Sequence, residues 1–117
     1  MLLTTDFKRG DIVLVNFVFS NETAIKRRPV LLLSSERYME GRQELIVAAI
    51  TSNTLRLLEG DHLMFDWEEA GLLFPSVTTG IVRTIKQNMI ERKMRVVSTN
   101  DLVEIEFKLS KFLELNS

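Results

Sequence analysis

The sequence predicts a mainly β fold: a small barrel of strongly bent antiparallel strands closed by one C-terminal helix, within a single domain of 117 residues. Two observations carry that expectation. Short β-branched and aromatic runs alternate with turn signals over most of the chain, and the apolar spacing becomes helical only after Ser98. Size agrees, since a chain of 117 residues with 45% hydrophobic content buries roughly 65% of its unfolded surface without staples.

The first strand is DIVLVNFVF, Asp11 to Phe19, apolar on both alternating faces and started by Gly10. SNETAIKRR follows as a polar loop. PVLLLS resumes as the second strand, whose Pro29 is restricted to its first position or to an edge. ELIVAAIT, Glu44 to Thr51, is the third strand and HLMFDW the fourth, with EEAGLLFPS a turn around Gly71 and Pro75. SVTTGIVRTI and RKMRVVS complete the set, Gly80 marking a bulge or bend. Ser98-Thr99-Asn100-Asp101 has the form of a capping box, after which Leu102, Ile105, Leu109, Phe112 and Leu113 recur at helical spacing. Repeats, low-complexity tracts and linkers are missing from the sequence.

Composition removes several function classes. Without cysteine there is neither a disulfide framework nor a thiolate metal site, and a single histidine makes zinc chemistry improbable. MLLTTDFKRGD becomes charged before a signal peptide can form, and no later run approaches a membrane span. These features predict a soluble cytoplasmic protein that holds no metal and no cofactor. A net charge of -1 argues against coating nucleic acid by charge alone. The charges are clustered, however. Lys26, Arg27 and Arg28 form one basic group, and Arg83, Lys86, Arg92, Lys93 and Arg95 form another around Glu91. The acids Glu59, Asp61, Asp66, Glu68 and Glu69 lie between them. Local basic patches of this kind suit a short anionic ligand better than a long duplex.

Signatures of nucleotide cofactors, metalloproteases and the common serine hydrolases are absent from the sequence. What remains is polar residues at strand ends. Pro29 biases Arg28 towards an extended backbone, Thr51 closes the third strand, and Ser52 and Asn53 extend a polar lip. If the second and third strands are neighbours, the Arg28 guanidinium and the Thr51 hydroxyl meet at one rim of the barrel, where they would bind a phosphate. Other residues have plainer readings. His62 reads as a half-buried strand residue beside Asp61, and Trp67 with Phe65 and Phe74 as core in preference to a base-stacking platform.

RGDIVLVNF, KRRPVLLLS, LIVAAITSN, AGLLFPSV, VRTI and STNDLVEI, in that order from Lys8 to about Leu115, resemble the MazF/PemK-like toxins of type II toxin–antitoxin pairs. The resemblance implies an SH3-like barrel, a homodimer, and metal-independent, sequence-specific cleavage of single-stranded RNA (mRNA) by 2′-hydroxyl attack on the phosphate. It also implies a cognate antitoxin with an acidic C-terminal segment that blocks the groove, and contact with operator DNA through that antitoxin. The arginine before the proline is then Arg28 and the threonine closing AAIT is Thr51, both catalytic. Glu22, Lys26, Arg27, Ser52, Asn53, Arg83 and Lys86 become candidate RNA contacts. A solvated loop is otherwise the plain reading of Lys26-Arg27-Arg28, and the resemblance reverses it for Arg28 alone. The loop from Ser20 to Lys26 lacks the glycine of the family's Gly-Ser-Glu-Gln pattern, so Glu22 is a loose match. Two other classes share the barrel: CcdB-type toxins that bind DNA gyrase, and a degenerate barrel serving only as antitoxin-bound co-repressor. The ending FLELNS lacks the Trp, Gly and Ile of the gyrase-binding type.

Overall fold

Alternating side chains on both faces of one bent sheet make two separate cores in this protein. The computed structural model describes residues 6–18 and 25–115. Its elements are β1 (Asp11–Val18), β2 (Ile25–Leu32), α1 (Glu36–Met39), β3 (Glu44–Thr51), β4 (His62–Leu63), β5 (Val77–Lys86), β6 (Ile90–Val96) and α2 (Thr99–Phe112). Among the described residues the strands form one sheet in the order β4-β5-β3-β2-β1-β6, with every pairing antiparallel. Val13, Val15, Val30, Leu32, Leu45 and Val47 belong to the first core. Their sequence neighbours Ile12, Leu31 and Ala48 belong to the second, which is covered by Met64, Leu72, Val97 and Ile105. Two buried faces explain why β1 and β2 are apolar at consecutive positions.

The C-terminal helix forms as its sequence signals. The Ser98 hydroxyl accepts from the Asp101 N–H, and Ile105 anchors the helix in the second core. Removing an aliphatic side chain of that burial from water is worth roughly 1.5–3 kcal/mol.

Four sequence expectations need adjustment. The fourth strand is shorter than HLMFDW, because the N–H groups of Phe65 and Asp66 are taken by the Asp101 carboxylate at 2.8 and 2.9 Å. Pro29 lies inside β2 rather than at its start. The short α1, capped by Ser35, lies in a stretch that carries no apolar period from which to expect it. His62 is 2% exposed rather than half-buried, and its partner is Asp101, not Asp61. The bulge expected at Gly80 is present: the β3–β5 register shifts between Ala48 and Ile50, and a Cβ at Gly80 would stand 3.3 Å from the Glu59 carbonyl oxygen and 3.4 Å from the Gly60 Cα, so the two backbones pass closely there. Phe19 lies outside the described residues.

Candidate functional site

Pro29 decides where the sheet opens. The Leu33 N–H donates to the Ile46 carbonyl at 2.8 Å, whereas the Leu32 carbonyl accepts from the Gly10 N–H at 2.9 Å. Odd-numbered residues of β2 therefore aim their backbone groups at β3 and even-numbered ones at the β1 side. The β2–β3 pairs are Val30 with Ala49, Leu31 with Ala48 and Leu32 with Val47. The next pair to need a hydrogen bond is Pro29 with Ile50, and proline has no N–H to give. The ladder stops, so Pro29 is locally at an edge although β2 is central. Continuing the same register one step further sets Arg28 opposite Thr51.

The gap is a cleft of about 620 Å³. Leu14, Pro29, Ile50, Leu72 and Met94 give it apolar surface, while Arg28, Arg92, Thr51, Ser52 and Ser76 supply guanidinium and hydroxyl groups. Leu73 and Phe74 complete the lining, and no carboxylate is present among its described residues. In a chain with net charge -1, such a lining creates a local positive field in an apolar surround, where charge acts over a longer reach than in water.

The polar groups are partly committed already. Thr51 Oγ1 accepts from the Asn53 N–H at 3.1 Å, which leaves its own proton to donate. Ser76 Oγ donates to the Phe74 carbonyl at 2.7 Å and fixes that loop. Arg28 is exposed, and its Nη1 reaches the adjoining Arg27 carbonyl, at 3.4 Å, with no other partner among the described residues.

The remaining candidates lie elsewhere. Arg27 is paired with Glu91 at 2.8 Å, and Lys26 is opposite Phe17 in the β1–β2 ladder. Asn53 turns its carboxamide oxygen to the Leu55 N–H at 3.1 Å, shaping the lip. Arg83 stacks over Phe17 at 4.8 Å, and Lys86 is opposite Glu44 at the end of β5; neither lines the cleft. Glu22 is outside the described residues. Phe65 and Phe74 are exposed rather than core, while Trp67 packs against the second core as expected.

The family model described as PemK-like, MazF-like toxin of type II toxin-antitoxin system matches residues 8–113. The chain belongs to that toxin family. Solved structures of similar fold include MazE-MazF from Deinococcus radiodurans, with TM-score 0.77 and 18% identity over 94% of this chain and 97% of that one. Another is the toxin MazF-mt6 of Mycobacterium tuberculosis, with TM-score 0.74 and 22% identity over 92% and 99%. A third, an endoribonuclease with its cognate antitoxin from a Mycobacterial species, gives 0.73 and 15% over 95% and 98%. No curated protein sequence matches the chain. The fold of these MazF toxins is thus the fold of this one, a mostly antiparallel sheet with a C-terminal helix. Among the described residues no helix is long and apolar enough to cross a membrane.

Within this PemK/MazF-like chain, Arg92 is the cleft residue that sequence reading passed over. It stands in a run of cations, and only the pairing of Arg92 with Leu14, itself paired with Pro29, reveals that its side chain shares their face.

Proposed function

We propose that this toxin is an endoribonuclease that cuts single-stranded RNA, sequence-specifically and without a metal, at the cleft between Arg28 and Thr51. The observation that supports this most is the lining: two guanidiniums and three hydroxyls with no acid among the described residues. That composition suits an anionic phosphate more than a cation or a neutral substrate. In the reaction the ribose 2′-oxygen attacks the neighbouring phosphorus and the bond to the 5′-oxygen breaks. The products are a 2′,3′-cyclic phosphate and a 5′-hydroxyl, after one proton leaves the 2′-oxygen and one reaches the 5′-oxygen.

Arg28 stabilises the pentacoordinate dianion with its fork of donors. It stays charged at any working pH, which also makes it a poor proton acceptor. Thr51 donates its free proton to a non-bridging oxygen. Loss of one such donor costs roughly 100 to 1,000-fold in rate, about 3–4 kcal/mol. Ser52 contacts RNA inside the cleft, Lys26 and Arg27 lie along its approach, and Arg83 and Lys86 meet RNA that runs on across β5. The toxin acts in the cytoplasm as a homodimer. Exposed Val103 and Phe107, one turn apart on α2, support burial against a second copy. The antitoxin presents an acidic segment that the unbalanced cations of the cleft attract, and it carries the pair to operator DNA.

The test is incubation of purified protein with a long single-stranded RNA in excess EDTA, with the ends mapped by primer extension. Discrete cuts that disappear in Arg28→Ala, with folding intact, are expected. Intact RNA alongside a folded protein that still arrests growth would overturn the reading.

A further inference from the structure

The cleft has a second functional wall. Leu73 and Phe74 are 83% and 62% exposed, although they stand beside the buried Leu72. Hydrogen bonds hold their loop: the Leu72 N–H donates to the Trp67 carbonyl at 3.1 Å, the Met64 N–H to the Ser76 carbonyl at 3.0 Å, and the Ser76 hydroxyl to the Phe74 carbonyl. Pro75 further restricts the backbone of Phe74 to extended conformations. An aromatic ring held this firmly and left in water is placed for a partner with a flat face.

Arg92 lies in the same cleft. Its neighbours in sequence are engaged, Glu91 with Arg27 and Lys93 with the Asp6 carbonyl and, at 3.5 Å, the Asp11 carboxylate. Arg92 itself has neither an ion pair nor a hydrogen bond among the described residues. The register row Arg92, Leu14, Pro29 crosses β6, β1 and β2 and makes the cleft floor, with Arg28 at its rim. An unpaired guanidinium and an unpaired aromatic ring in one cleft without an acid among its described residues match the two faces of a nucleotide, a phosphate and a base.

We propose that Phe74 and Arg92 form a nucleotide subsite of their own, next to the scissile phosphate at Arg28. Phe74 stacks the base of a flanking nucleotide of single-stranded RNA, and Arg92 holds the phosphate that adjoins it. The inference rests on the reading of the cleft as an RNA site and adds a place where substrate is gripped without being cut. Stacking accepts every base, so this subsite sets affinity more than sequence.

Steady-state cleavage of a short RNA containing one mapped cut site tests it, together with binding of the same oligonucleotide carrying 2′-deoxyribose 5′ to the cut. Phe74→Ala is expected to raise KM by about 5- to 150-fold, the stacking of one base converted at tenfold per about 1.4 kcal/mol. kcat should change far less, and Phe74→Trp should restore binding; the latter variant also answers the question if the alanine form is poorly folded. Arg92→Ala should weaken binding and lower the slope of log affinity against log salt by about 0.7, the value for one phosphate of a single strand. Wild-type cleavage with KM unchanged in both variants would overturn the subsite and leave the nuclease reading intact. A fall in kcat at constant KM for Arg92→Ala would overturn the assignment too, by moving Arg92 into the chemistry. Failure of the wild type to bind or cut RNA would sink both readings.

Discussion

The Asp101 carboxylate accepts hydrogen bonds from three groups of the segment 62–66. The N–H groups of Phe65 and Asp66 donate to it, as does His62 Nε2 at 2.7 Å, and its own N–H is held by Ser98. Lys108 Nζ lies 3.0 Å from His62 Nδ1. An ammonium can only donate, so Nδ1 accepts and the ring carries its proton on Nε2. Burial pushes the Asp101 carboxyl up, but the hydrogen bonds from the Phe65 N–H, the His62 ring and the Asp66 N–H outweigh it and hold the group below its ordinary value. A carboxyl lowered in the folded state binds its proton more readily when unfolded, so its contribution is present above about pH 4 and is lost as pH falls further. Urea unfolding from pH 7 down to pH 2 should show this. Asp101→Asn should cost about 3 kcal/mol at neutral pH, and its deficit against wild type should shrink below pH 4. An equal deficit at every pH would show that the charge is not what matters.

At the scale of elements, one proline converts a sheet into a binding site. Pro29→Val returns an N–H aimed at Ile50, and the β2–β3 ladder can then extend into the cleft. The expected result is a gain of roughly 0.5–1.5 kcal/mol in stability, slow amide exchange at residue 29 and reduced RNA cutting. Fast exchange there would show that the strands part for some other reason. How much of this was legible in the sequence follows from what sets each feature. Strand β3 was readable to its exact ends, because its limits are set by local composition. The capping box gave the start of α2, because the cap is a contact three residues long. β4 was over-extended, because its limit is set by Asp101, more than thirty residues away. The edge character of Pro29 was foreseen from its missing N–H, but a position inside a central strand was not. Arg28 and Thr51 could be paired on paper only by assuming that β2 and β3 are neighbours. Arg92 stayed hidden because the face of a β6 residue is fixed by pairing with β1, far away in sequence.

Taken whole, the molecule is almost neutral, and the described lining of its cleft carries two arginines and no carboxylate. That distribution makes a quantitative claim about salt. A protein that coats nucleic acid engages many phosphates, and its affinity collapses as ionic strength rises. Here two unbalanced cations, Arg28 and Arg92, line the cleft, while Arg27 and Lys93 are already engaged with acceptors of the chain itself. For an RNA short enough to fill the cleft alone, two phosphates are neutralised, and the slope of log affinity against log salt should be about -1.4. Raising salt from 50 to 200 mM should therefore weaken binding of an uncleavable RNA by about sevenfold. Fluorescence anisotropy across that range measures it directly. A longer RNA should give a steeper slope, because Lys26, Arg83 and Lys86 then meet the strand beyond the cleft; an equally steep slope with the short RNA would mean that they reach the nucleotides in the cleft as well. A flat response would mean that the grip is chiefly the apolar wall of Leu73 and Phe74, and that the guanidiniums act on the transition state instead of the bound ground state.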